Sequence, residues 1–241
     1  MRMDWREFAE QMALLARALL AQDSTQATLD EIVSAAVELI DGCETAGILA
    51  VRKNRAVSLA VTDEMVEASD RMQGELGEGP CFDAARRVNG DRVFRIVDMA
   101  QPQPLWPTYA PAARKLGIGS MMGFLLYTDD QDFGALNCYS GRAGAFTPES
   151  ETAGWLLASH AAVALASART VDQLEHALET RHAIGEAMGI LRERHRLSED
   201  DAFAVLRRIS QHHNIKLRDV AQSIRGETPD RPVRGETPGQ G

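Results

Sequence analysis

The sequence predicts an α+β domain with an antiparallel sheet flanked by helices, then a long helical connector and a small three-helix all-α module. Three observations carry this. Two amphipathic helical stretches precede two strand pairs, an order that suits helices packed on an antiparallel sheet. From Pro148 no further proline occurs until Pro229, and Gly154, Gly185 and Gly189 are the only glycines before Gly226. One helix could therefore run from Pro148 to about His195, well beyond the usual length. Charge is also divided. Residues 1–168 carry 14 basic and 23 acidic side chains and residues 169–241 carry 12 of each, so the net −9 of the 241-residue chain lies wholly in the first part.

Phe8, Met12, Leu15 and Leu19 recur at spacings of 4, 3 and 4 and predict a first helix. Ser24 or Thr25 caps a second, with Leu29, Ile32, Val33, Ala36 and Ile40 on one face and Asp41-Gly42 at its end. Residues 45–53, a break at Asn54 and the run 57–61 read as a β-hairpin. Residues 63–73 read as helix, and ELGEGPC (75–81) as a turn outside regular structure. A short strand is expected over 91–98 and a loop at QPQPLWP (101–107). Residues 120–128, the polar turn 129–132 and residues 133–140 make a second hairpin. Thr147-Pro148-Glu149 starts the long helix with an N-cap hydroxyl, proline at the first position and acid in the first turn. Ser198 with Glu199, Asp200 and Asp201 starts the next as a capping box, with Ala202, Val205, Leu206 and Ile209 as its buried stripe. Asn214 is the expected cap of a last helix carrying Leu217, Val220, Ala221 and Ile224. The end repeats RGETP at 225–229 and 234–238 and reads as a disordered tail. The expected divisions are 1–168, 169–225 and 226–241.

A chain with 44% hydrophobic and 25% charged residues is an ordinary globular one, which excludes a wholly disordered protein, a collagen and a porin. Three cysteines without a C-x-x-C pair argue against a disulfide framework and a zinc ribbon, and fit a reducing cytoplasm. The charged start MRMDWREFAEQ does not read as a secretory peptide. The longest uncharged run, 152–168, falls short of the ~20 residues a membrane span needs. A cytoplasmic protein with no membrane partner is expected. Cys43 and Cys138 sit in apolar contexts as small buried thiols. Cys81 follows Gly79-Pro80 at an expected helix start, where a dipole would stabilise a thiolate; a structural role is the reading preferred. Ala164, Ser167, Val171, Leu174 and Leu178 repeat at 3-4-3-4. The early part of that seam can pack on the first domain. Beyond Arg169 it predicts a dimer contact through Val171, Leu174 and Leu178.

The motifs GEGPC (77–81), WP (106–107), GIGSMMGFLLY (117–127) and DFGALNCYS (132–140) resemble, in that order and over roughly residues 10–168, a bacterial GAF domain. The resemblance implies a GAF-like sensory module that takes cyclic nucleotides, haem, bilins or another small ligand, or that serves only in dimerisation. It names no ligand, so the cofactor stays unknown and a small-molecule signal is a partner class. Haem ligation by His is disfavoured, because His160 is the only histidine in the domain and lies in an alanine-rich run. The segment 183–224 resembles an ANTAR domain, the three-helix RNA-binding module of transcription antitermination regulators. Matching positions are Ala187, Gly189, Ile190 and Leu191, then Ala202, Phe203, Leu206, Arg207, Ser210 and Gln211, then Asn214, Lys216, Leu217, Val220 and Ala221. Many members carry a basic residue where Met188 stands, which removes one phosphate contact here.

Between Arg181 and Arg225 nine basic residues face six acidic ones. The candidate RNA contacts are Arg192, Arg194, Arg196, Arg207, Arg208, Lys216 and Arg218, which can pair with phosphates and stack on splayed bases. His212 and His213 are expected to diverge on a helix surface. Together these readings predict a signal-responsive homodimer that binds paired stem-loops in nascent transcripts and prevents termination. The signal would act through the Pro148–His195 helix. The alternatives are a DNA-binding regulator with a GAF sensor and a GAF-coupled signalling enzyme. For the enzyme the sequence offers no H-E-x-x-H, G-x-S-x-G, P-loop or metal-type Cys/His spacing. A kinase-like helix around His176 or His182 lacks a following ATP-binding domain, and no receiver-type phosphoacceptor is apparent.

Overall fold

The computed structural model describes residues 5–53, 55–85 and 93–226. Asn54, residues 91–92 of the expected short strand and residues 227–241 of the expected tail lie outside the described residues. The chain divides into two compact units, Met1–Asp172 and Gln173–Gly241.

The first unit runs α1 (Trp5–Leu20), α2 (Thr25–Leu39), β1 (Thr45–Arg52), β2 (Arg55–Val61), α3 (Glu64–Leu76), α4 (Pro80–Ala85), β3 (Val93–Ile96), α5 (Tyr109–Lys115), β4 (Ser120–Tyr127), β5 (Asp132–Ser140) and the beginning of α6 (Pro148–His195). The strands form one antiparallel sheet in the order β2-β1-β5-β4-β3. The two-residue period of side chains then divides two cores. Met122, Phe124, Leu126, Leu136 and Cys138 face the apolar stripes of α1, α2 and α6. Leu49, Met121 and Tyr139 face α3, α4 and α5 on the other side. The predicted stripes Phe8–Met12–Leu15–Leu19 and Leu29–Ile32–Val33–Ala36–Ile40 are buried throughout. Ser24, rather than Thr25, caps α2, its hydroxyl accepting from the Ala27 amide at 3.1 Å.

Two readings need correction here. Residues 75–81 are mostly helical: Glu75 and Leu76 finish α3, and Pro80 and Cys81 open α4. Only Gly77–Gly79 make the turn. Gly77 (φ 62°) takes the left-handed position that ends α3, and proline at the start of α4 gives up an amide that has no helical partner anyway. Helix α4 begins at Pro80, at the helix start expected around Cys81, whereas α5 was not foreseen; Thr108 before α5 makes no side-chain capping bond, so the usual start signal is missing. In β5, Gly134 (φ 112°) is required by close approach, since a Cβ there would lie 2.1 Å from the Leu49 carbonyl oxygen.

Helix α6 is continuous over 48 residues, and no proline interrupts it after Pro148. In the second unit its last part packs with α7 (Glu199–His213) and α8 (Leu217–Arg225). Ala183, Ala187, Leu191, Ala202, Leu206, Val220 and Ala221 form that core, with Met188 half-buried against it. The Ser198 hydroxyl accepts from the Asp201 amide at 3.1 Å, the first bond of the expected capping box, while the Asp201 carboxylate takes the Ser198 hydroxyl at 2.6 Å in place of the backbone amide. Asn214 is corrected: it closes α7 in the left-handed region (φ 51°), and Lys216 stands at the start of α8. Asparagine suits both roles, and here its tolerance of the left-handed conformation is the one used.

Candidate nucleic-acid interface

In the second unit, α6 and α8 enclose a cleft of about 640 Å³. Residues 176, 179, 183 and 186 recur at helical spacing on α6, and 218, 222 and 225 do so on α8. The cleft is lined by His176, Glu179 and His182 from one side and by Lys216, Arg218, Asp219 and Arg225 from the other. Arg218 donates through Nη1 to Nε2 of His176. The Arg218 Nε also lies 3.3 Å from the Asp219 carboxylate. At the other end the Arg225 Nε stands 2.7 Å from Glu186, whose second oxygen is 3.0 Å from Nε2 of His182.

This cleft gathers two predicted contacts, Lys216 and Arg218, with three groups not among them: His176, His182 and Arg225. Arg225 lies two helical turns after Arg218, a spacing that could have found it. The two histidines precede the segment 183–224 that carried the family likeness. Arg192, Arg194 and Arg196 are exposed at and just beyond the end of α6, and Arg207 and Arg208 are exposed on α7. None of these five lines the cleft. His212 and His213 do not diverge as expected; at the last turn of α7 their rings stand edge to face with centroids 4.9 Å apart.

The predicted seam splits. Ala164 is buried in the core of the first unit, whereas Val171, Leu174 and Leu178 are 48, 61 and 67% exposed. Val163, not included in the seam, is a further exposed apolar residue on α6.

The interior of the first unit holds a polar cluster that no motif announced. Asp70 of α3 is only 1% exposed. Its carboxylate accepts from the Ser58 hydroxyl at 2.8 Å and the Tyr139 hydroxyl at 3.4 Å. Burial pushes the Asp70 carboxyl up to about 7, against the pull of those two hydroxyls. The Tyr139 oxygen is 4.0 Å from the Cys81 sulfur, and the Ser69 and Tyr109 hydroxyls are 2.8 Å apart. Burial, and then the nearby Asp70, raise the Cys81 thiol well above its ordinary value. The helix start therefore does not make Cys81 a thiolate, because desolvation outweighs the dipole. Asn137 is fully buried between Gly47 and Gly123 of the adjoining strands, and neither atom of its amide has a protein partner. Among the described residues no group of three or more His, Cys, Asp or Glu could hold a metal ion, and no helix is long and apolar enough to cross a membrane.

Comparison with known proteins matches residues 22–166 to the GAF domain family and residues 172–224 to the ANTAR domain family. No curated protein matches the chain. Among solved structures, the chromophore-binding domain of an unusual bacteriophytochrome from R. palustris is 14% identical, with a TM-score of 0.52 over 69% of this chain and 63% of that one. A longer bacteriophytochrome structure from the same photosynthetic bacterium is 13% identical, with a TM-score of 0.59 over 83% of this chain and 46% of that one. The chain thus spans less than two thirds of either phytochrome structure. The GAF domain of a phosphoenolpyruvate-protein phosphotransferase from Coxiella burnetii is 16% identical, with a TM-score of 0.54 over 71% of this chain and 99% of that one. At these identities the likeness is one of fold.

Proposed function

The chain belongs to the GAF family and carries an ANTAR domain after its GAF domain, and from that premise we propose a signal-responsive regulator that binds paired hairpins in nascent transcripts and prevents their termination. An ANTAR domain marks an RNA-binding antitermination regulator, and a GAF domain marks a sensor. The observation that carries the finer reading is the gathering of Lys216, Arg218 and Arg225 in one cleft of the ANTAR unit. Arg192, Arg194, Arg196, Arg207 and Arg208 add exposed charge to the same unit, within a chain of net −9. Such groups meet phosphates by charge and by directed N–H donors.

Dimerisation belongs to the same proposal. The exposed Val171, Leu174 and Leu178 suit a second copy of the helix, and a dimer presents two modules to two hairpins. A small-molecule signal in the GAF domain would act through α6, whose beginning lies in one core and whose end lies in the other. The protein works in the cytoplasm, on transcripts as they emerge, and the reading includes no catalytic step.

The test is a direct titration of the full chain with a paired-hairpin RNA and with duplex DNA of equal length. The RNA is expected to bind more tightly at the same salt. Equal or tighter binding of the duplex DNA would overturn the proposal in favour of a DNA-binding regulator.

A further inference from the structure

The GAF unit has a groove of about 660 Å³ between the loop 99–107 and helix α5. Pro102, Pro104 and Pro107 build the loop wall, and the buried Met99 and Ala110 lie at the base. Proline has no amide hydrogen and an apolar ring, so this wall offers few donors. The loop glutamines spend their amide donors on the loop itself. Gln101 donates to the Asp98 carboxylate at 3.3 Å, and Gln103 to the Asp98 and Gln101 carbonyls at 3.2 and 3.3 Å. What faces the groove from this side is mostly carbon.

The α5 wall changes character along its length. Ala110 and Pro111 come first, and Arg114 and Lys115 follow one turn later on the same faces. Both cations are exposed, and neither enters an ion pair among the described residues. Nor are they needed to close the helix, whose last carbonyls already accept backbone amides: Ala113 from Leu116 and Ile118, and Arg114 from Gly117. Among the described residues no carboxylate lines the groove, although acidic side chains outnumber basic ones 23 to 14 over residues 1–168. The groove is therefore a local reversal of the charge of its own domain.

Its shape is fixed from outside. The Met99 amide donates to the Gly119 carbonyl at 2.8 Å, and the Trp106 indole donates to Asp83 at 2.8 Å. Glu78 accepts from the Thr108 and Tyr109 amides at 2.6 and 2.7 Å. Walls anchored in this way need little ordering when a ligand arrives, and the volume lies in the range of sites for one small molecule. We propose that this groove binds a small apolar carboxylate, with its carbon body against the prolines, Met99 and Ala110 and its carboxylate on Arg114 and Lys115. The guanidinium fork matches a carboxylate, and covering the carbon body removes apolar surface from water. A neutral apolar ligand would leave both cations unused, and inorganic phosphate would leave the apolar walls bare. No member of the buried cluster around Asp70 lines the groove, and the site goes beyond the RNA-binding reading without depending on it.

The test is calorimetric titration of the full chain with two carboxylates, octanoate and 2-naphthoate. The partial probes are 1-octanol, acetate, inorganic phosphate and phosphatidylglycerol vesicles. At least one of the two carboxylates should bind saturably at one site, and each partial probe at least about tenfold more weakly. Arg114→Gln combined with Lys115→Gln changes two exposed positions and should weaken that carboxylate about tenfold while leaving 1-octanol unchanged. Ala100→Trp, at an exposed lining position, should block the groove and abolish both. Circular dichroism and a thermal melt check that the variants fold. The site would be overturned if neither carboxylate bound saturably, if 1-octanol bound as tightly, or if the double variant kept wild-type affinity. Binding of the vesicles in place of the free acids would overturn it in favour of a lipid surface. None of these results bears on hairpin RNA, whose binding is titrated separately.

Discussion

The GAF unit buries a carboxyl, two tyrosine hydroxyls, three thiols and two side-chain amides, whereas no ionisable side chain of the ANTAR unit is buried among the described residues. Their cores differ in the same sense. The GAF cores are filled by Phe82, Phe124, Tyr109, Tyr139 and Trp106; the ANTAR core rests on four alanines with Leu191, Leu206 and Val220. Alanines let the end of α6 approach α7 and α8 closely. The difference teaches where each unit keeps its chemistry: in the GAF unit inside, where burial tunes it, and in the ANTAR unit on the surface, where charge and solvent set it.

The largest expected effect tests the interior side. The Asp70 carboxyl titrates near 3.8 in an unfolded chain and near 7 in the fold, so between those values the folded state holds an extra proton. The stability tied to that proton is fully present below 3.8 and is lost as pH rises through about 7, on the order of 4 kcal/mol in all. Asp70→Asn keeps acceptors for Ser58 and Tyr139 and cannot ionise. Urea unfolding from pH 4 to 8 should find the variant close to wild type at pH 4 and more stable at pH 8. A variant less stable at pH 8 would show that the buried carboxylate is not a burden.

The next effect concerns the smaller core. Leu206→Ala removes one of its few large side chains and should cost about 3 kcal/mol. Because the ANTAR core is separate, calorimetry should show one transition moving down and the GAF transition staying. A single shifted transition would mean that the two units melt as one. Leu174→Glu together with Leu178→Glu follows: the light-scattering mass should halve and RNA binding should weaken about a hundredfold through lost avidity. An unchanged mass would remove these leucines as the interface.

The same contrast explains what was legible. Amphipathic stripes such as Phe8–Met12–Leu15–Leu19, the hairpin 120–140 and the uninterrupted α6 follow from periodicity and from the absence of breakers. The basic excess of the ANTAR unit could be counted because it stays on the surface. Asp70 could not be found, since in sequence it stands between Ser69 and Arg71 like any solvated helical acid. Only the packing of α3 on β2 and β5 brings Ser58 and Tyr139 to it. Asn214 was misplaced because one residue type serves two helix ends, and the backbone angle decides between them. The cleft was half-legible: Lys216 and Arg218 lie in the matched segment, but His176 and His182 reach it from upstream on α6.

The central claim is that the surface charge of the ANTAR unit meets RNA phosphates, and the salt dependence of binding tests it most directly. With paired-hairpin RNA, log K should fall with log[salt] by roughly 0.7 per phosphate contacted on single strands, and more steeply on stems. Replacing Arg192, Arg194, Lys216 or Arg218 by alanine should each weaken binding and flatten that slope by up to about one unit. Arg17→Ala, at an exposed position of α1, should leave the slope unchanged. Wild-type affinity and slope in all four alanine variants would contradict the account, and the basic cluster would then be a solvated surface and not an RNA interface.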